Sequence, residues 1–173
     1  MKKLVLFVFA SLMAFGCKQN QQPVEQVNTK ENDSKAMYEK NLSTLRASIS
    51  AFEREDLDSW SSYVADNMVF SPAAYGSKQG SKEDWRKELA FFNSDWDSIK
   101  LTHPNFLPGI DSVSHEFDGS VRYYGTWTAV HKSGVKTAAN FYGTYEFNAE
   151  NKIISAAHFF DIGGLMNAVA AKK

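Results

Sequence analysis

The sequence predicts an α+β domain in which helices come first and a strongly curved antiparallel sheet follows. Three observations carry this prediction. Tyr38, Leu42, Leu45, Ile49 and Phe52 recur at helical spacing. From residue 99 onward, short apolar and aromatic runs alternate in twos between turn residues. Gly125 and Gly143 interrupt the middles of two long strands, where glycine marks a bulge or a sharp bend.

The first stripe predicts an amphipathic helix over 36–54. Asp56 is placed to cap a second, shorter helix whose stripe is Leu57, Trp60, Val64 and Met68. The two form a hairpin, closed by Pro72 after a short strand at 68–71. Ser81 is placed to cap a third helix, with Asp84 three residues on in a capping-box position. Trp85, Leu89, Phe92 and Trp96 mark its apolar face. Tryptophans at such positions ordinarily build a core; Trp60 and Trp85 are also candidates for walling a ligand cavity.

Strand segments at 99–106, 112–117, 121–131, 136–147 and 152–161 are separated by Pro108-Gly109, Asp118-Gly119, Ser133-Gly134 and Ala149-Glu150-Asn151. Such spacing predicts an antiparallel meander. Counting outward from the last two turns pairs Gly125 with Gly143, Trp127 with Phe141, Tyr145 with Ser155, Phe141 with Phe159 and Ala139 with Asp161. Alternation then places Tyr123, Trp127, Phe141, Tyr145, Phe159 and Asp161 on the face toward the helices. The middle of that face holds Gly125, Gly143, Ser155 and Ala157. Small residues ringed by aromatics leave room for a cavity. The candidate ligand-binding residues are therefore Trp60, Trp85, Tyr123, Trp127, Phe141, Tyr145 and Phe159. His158 falls on the opposite face, beside Tyr142 and Asn140.

Residues 1–17 read as a bacterial lipoprotein leader. Lys2 and Lys3 precede an apolar run, Leu4 to Phe15, with signal-peptide rather than membrane-spanning length. Gly16 then precedes Cys17, the only cysteine. Ala14-Phe15-Gly16-Cys17 resembles a lipobox, although leucine is commoner at its first position. The resemblance implies cleavage before Cys17, lipidation of its thiol, and a place in the cell envelope. Gln19, not an acidic residue, favours the outer membrane by resemblance to the Gram-negative sorting rule. Residues 18–35 hold no aromatic residue and only two valines. They are expected to form a disordered tether between the membrane and a domain spanning 36–173. A net charge of −1 offers no basic field for nucleic acid. One cysteine excludes an internal disulfide, and the four histidines show no metal-ligand spacing, so no metal and no cofactor are expected.

Three helices, then a curved sheet, ending in Phe147-Asn148-Ala149-Glu150-Asn151-Lys152-Ile153-Ile154 and Phe159-Phe160-Asp161, resemble the NTF2-like superfamily and its SnoaL-like branch. The resemblance implies an NTF2-like cone: three N-terminal helices packed on the curved sheet. That fold hosts isomerases, dehydratases, cyclases, epoxide hydrolases and non-catalytic binding domains, so it sets a fold and not a reaction. Dimers through the sheet are common in the superfamily. Tyr124, Tyr142 and Phe160 on the outer face make a homodimer an expectation here.

Asp161 is the candidate catalytic residue. A carboxylate among aromatic rings has its pKa raised, which suits a general acid or base. Its structural alternative is capping of Ile162-Gly163-Gly164. Three functional readings follow. The cone binds a small apolar or amphipathic molecule; or it is an acid–base lyase or isomerase using Asp161; or it is an interaction module filled by its own side chains. Residues 163–169 are expected to form a last helical turn over the cone mouth or across a partner.

Overall fold

The computed structural model describes the backbone of residues 24–172 and the side chains of residues 32–172. The leader and Cys17 lie outside the described residues. The chain runs α1 (Val24–Glu53), α2 (Leu57–Ser62), β1 (Val64–Ser71), α3 (Lys82–Asp95), β2 (Trp96–Ile110), β3 (Phe117–His131), β4 (Lys136–Phe147), β5 (Ile153–Phe159) and α4 (Ile162–Ala170). The sheet order is β1-β5-β4-β3-β2. β2 to β5 form the expected antiparallel meander, and β1 adds to β5 in parallel. α1, α2 and α3 pack on this sheet, so the α+β class and the helix-covered curved sheet hold.

Local chemistry explains where the elements start. The Asp56 carboxylate accepts from the Ser59 amide and caps α2. Ser81 and Asp84 form a full capping box at α3: the Ser81 hydroxyl accepts from the Asp84 amide, and the Asp84 carboxylate from the Ser81 amide. Several boundaries differ from those predicted. α1 begins at Val24, so residues 24–35 are helical and not part of a disordered tether. Glu, Gln and Lys lose little side-chain freedom in a helix, and they extend one already nucleated by its packed stripe. α2 stops at Ser62; Val64, Met68 and Phe70 are buried on β1 instead. Trp96 opens β2 rather than closing α3. Residues 112–116 are no strand: the Asp111 carboxylate holds them in a turn by accepting from the Val113 and Ser114 amides.

β2 carries two prolines because it is the edge strand. Its register slips between Asp97 and Lys100 and between Thr102 and Asn105, with Ser98 and His103 at positive φ. Such bulges sharpen local twist and curl the sheet round the helices. The Glu53 carboxylate at the end of α1 accepts from the Leu101 amide at 2.8 Å, tying the helix to this curl.

A second tie is buried. Asn41 on α1 is 3% exposed. Its Nδ2 donates to the Gly119 carbonyl at 2.8 Å, and its Oδ1 accepts from Asn151 Nδ2 at 2.9 Å. One amide thus fixes α1 against both the start of β3 and the β4–β5 connection. Asn151 itself is left-handed, φ 59°, a conformation asparagine tolerates. Replacing Asn41 by alanine leaves both partners without a bond. Denaturant unfolding of Asn41→Ala is expected to show a loss of about 1–3 kcal/mol, most of it from the buried Gly119 carbonyl left unmade.

Candidate functional site

Register decides which side chains meet the helices. Gly125 pairs with Phe141 and Trp127 with Ala139, two residues from the expected pairing. A slip of two preserves alternation, so Tyr123, Trp127, Phe141 and Tyr145 point inward as predicted. β5 differs. Phe147 pairs with Ile153, but Glu146 pairs with Ser155, which leaves Ile154 as an extra residue. This bulge exchanges the two faces of β5 beyond it. Ala156 and His158 become buried, while Phe159 is 55% exposed.

The cavity lies between α1, α3, the inner sheet face and the start of α4. Its free space, measured as the room open to the centre of a water-sized sphere, is about 110 Å³. Space for several waters is present by that measure. The walls include Phe52, Trp60, Trp85, Phe92, Trp96, Tyr123, Trp127, Phe141, Tyr145 and Phe160, with Leu165 of α4. The room does not come from the central glycines. A Cβ on Gly143 would lie 2.7 Å from the Phe141 ring and 2.9 Å from the Tyr145 hydroxyl, and one on Gly125 would lie 2.7 Å from Leu101. Ala129 and Ala139, with Thr128 and Thr137, supply the small lining instead.

One wall gathers the polar chemistry. Tyr145 on β4 and His158 on β5 share a hydrogen bond, hydroxyl to Nε2, at 3.0 Å. Nδ1 of His158 faces Glu88 Oε1 of α3 at 3.9 Å, beyond hydrogen-bond reach. When Tyr145 donates to Nε2, the imidazole proton sits on Nδ1 and is directed toward Glu88. Trp127 Nε1 donates to the Tyr123 hydroxyl at 3.2 Å, which orients both residues. The rings of Phe70, Trp85 and Phe141 enclose the imidazole at centroid distances of 5.1, 5.4 and 4.9 Å.

This enclosure sets the protonation states. Burial pushes the His158 pKa down to about 3, so the imidazole is neutral at pH 7. Burial pushes the Glu88 carboxyl up to about 7, so it holds and releases a proton near neutrality. Burial likewise raises both Tyr123 and Tyr145, which stay protonated. The wall therefore offers a neutral imidazole, two hydroxyls and one carboxyl that can give or take a proton.

Of the predicted site residues, Trp60, Trp85, Tyr123, Trp127, Phe141 and Tyr145 line the cavity. Phe159 does not; it stands on the outer sheet face, 5.6 Å from the Tyr142 ring. Asp161 does not either. It is the exposed N-cap of α4, accepting from the Gly164 amide at 2.7 Å, so the structural alternative for this residue is the one observed. His158 and Glu88 were missed. Glu88 had a legible signal: it lies three residues after Trp85 and four before Phe92, inside the apolar stripe of α3. Among the described residues, no group of three His, Cys, Asp or Glu side chains is placed to hold a metal ion.

Two outcomes follow. Asp161→Ala is expected to cost about 1 kcal/mol in thermal unfolding, as loss of a helix cap, and to leave occupancy of the cavity unchanged. Glu88→Gln is expected to gain on the parent as pH rises. The folded-state pKa lies above the unfolded one, so the carboxyl's contribution is full below about pH 4.5 and is lost as pH rises through about 7. Melts of both proteins between about pH 4.5 and 8 should show the difference moving toward the variant by about 2–3 kcal/mol.

No protein-family model matches the chain, and no curated protein matches it. Solved structures do. A proposed isomerase from Bacillus subtilis superposes with TM-score 0.65 at 18% identity, over 78% of this chain and 95% of that one. A proposed SnoaL-like polyketide cyclase from Shewanella denitrificans gives TM-score 0.61 at 11% identity, over 76% and 97%. A protein from Catenulispora acidiphila with a ketosteroid isomerase-like fold, in complex with trimethylamine, gives 0.58 at 11%, over 72% and 90%. At these identities the likeness is one of fold, and the fold is the NTF2-like cone.

Proposed function

We propose that the cone binds a small apolar or amphipathic molecule whose polar end meets Glu88, His158 and Tyr145. The observation that carries this is the aromatic-walled cavity with its polar groups gathered on one wall. That cavity also weighs against a cone filled by its own side chains. The Catenulispora neighbour, in complex with trimethylamine, supports the idea that a protein of this fold binds a small molecule.

A second reading is an acid–base lyase or isomerase. The sequence pointed to Asp161 for this role; the geometry favours Glu88 in its place. A carboxyl titrating near pH 7 beside a neutral imidazole can move a proton between two positions of a bound substrate. Fold neighbours described as isomerases and cyclases are consistent with it.

The reading also places the domain at a bacterial envelope, held by lipid on Cys17 in the outer membrane. Among the described residues no helix is long and apolar enough to cross a membrane. A homodimer through the sheet draws support from an exposed aromatic ladder, Tyr124 on Tyr142 at 4.8 Å and Tyr142 on Phe159 at 5.6 Å.

The binding reading is tested by filling the cavity. Ala139 lines it opposite Trp127. Ala139→Trp is expected to weaken binding of an uncharged apolar fluorophore by at least about tenfold, or about 1.4 kcal/mol. Equal binding by parent and variant would place the fluorophore outside the cone and sink the reading.

A further inference from the structure

The lining polar groups differ in what remains free on them. The Ser48 hydroxyl donates to the Leu45 carbonyl, Thr128 to Lys100 and Thr137 to Ala129. Tyr145 and His158 bond each other, and Tyr123 receives the Trp127 indole. The indole nitrogens of Trp85 and Trp96 lack partners but are fully enclosed by protein, so they do not meet an occupant. The Glu88 carboxyl is different. It lines the cavity with no hydrogen bond among the described residues, its nearest basic atom being His158 Nδ1 at 3.9 Å.

Charge points the same way. Among the described residues no lysine or arginine lines the cavity. The imidazole, ringed by Phe70, Trp85 and Phe141, is no counter-ion. The remaining walls are largely aromatic, and ring faces carry negative potential. A carboxylate or phosphate ligand would meet Glu88 with no cation to offset it. A cation would meet one carboxylate and several ring faces.

Resting on the binding reading above, we infer that the occupant is an organic ammonium compound, its cationic head set between the Glu88 carboxylate and the aromatic walls. Glu88 supplies the counter-charge and the rings supply the desolvated cage. The apolar remainder of the molecule extends toward Ala129, Ala139 and Leu165.

Choline and 3,3-dimethyl-1-butanol test this, because they share a shape and differ in the charge at the branched centre. Calorimetric titration of the full-length protein at about pH 8 is expected to show choline binding at least about tenfold more tightly than the alcohol. Glu88→Gln is expected to erase that preference while keeping a melting temperature at least equal to the parent's. Equal binding of the two compounds by the parent overturns the inference, as does a choline preference that survives Glu88→Gln. If the alcohol and an uncharged apolar fluorophore bind while choline does not, the cation inference falls and the binding reading stands. If none of the three binds, both fall.

Discussion

One extra residue decides what the cone can do. Ile154 is bulged between Phe147–Ile153 and Glu146–Ser155, and everything beyond it on β5 changes face. With regular pairing, Phe159 and Asp161 would face the helices, and His158 would face away. With the bulge, His158 joins Tyr145 and meets Glu88 of α3, while Asp161 is freed to cap α4. The cap in turn starts the helix whose Leu165 lines the cavity. The chemistry of the inner wall and the covering of the cone thus share one backbone irregularity.

The helices matter to this wall as much as the sheet does. Glu88 faces His158 from α3, whose start the capping box at Ser81 and Asp84 fixes. Trp85 then stacks on Phe70 of β1 at 5.2 Å and meets Trp60 of α2 edge-on at 4.9 Å. Those rings exclude water from the imidazole. Exclusion of water is what pushes the acid and the base toward their neutral forms, so packing, rather than ion pairing, sets the site's electrostatics. The distance of 3.9 Å agrees with that, being too long for a charged hydrogen bond.

The fold was legible in the sequence because each layer repeats its own period. The α1 stripe, the Ser81 cap, the turns at Ser133-Gly134 and Glu150-Asn151, and the faces of β3 and β4 could be read directly. The error in pairing β3 with β4 was even, so it left the faces intact. β5 was illegible for a specific reason. Ile153-Ile154, Ala156-Ala157 and Phe159-Phe160 are doublets, so either phase of alternation presents a similar apolar face. A strand that fits both phases is decided by its partners, here β4 on one side and the parallel β1 on the other, which local sequence does not show. Residues 24–35 were illegible on similar grounds: a polar segment with no core to join is still helical as the continuation of a helix that has one.

Acid and base set opposite limits on stability, and their overlap bears on what the cavity holds. His158 has a folded pKa of about 3, below its unfolded 6.5, so its contribution is full above 6.5 and is lost as pH falls toward 3. Glu88 has a folded pKa of about 7, above its unfolded 4.5, so its contribution is lost as pH rises from 4.5 to 7. Between about 4.5 and 6.5 the two dependences offset, and above 6.5 only the carboxyl continues to weaken the fold. On the alkaline side the ionised Glu88 carboxylate is the form that this enclosure disfavours. An occupant that supplies positive charge relieves that burden and is bound more tightly for doing so, because whatever favours the ionised form of Glu88 is favoured by it in return. A neutral occupant gains nothing from the ionisation. The same desolvation that makes Glu88 a candidate proton carrier thus makes it a selector for charge.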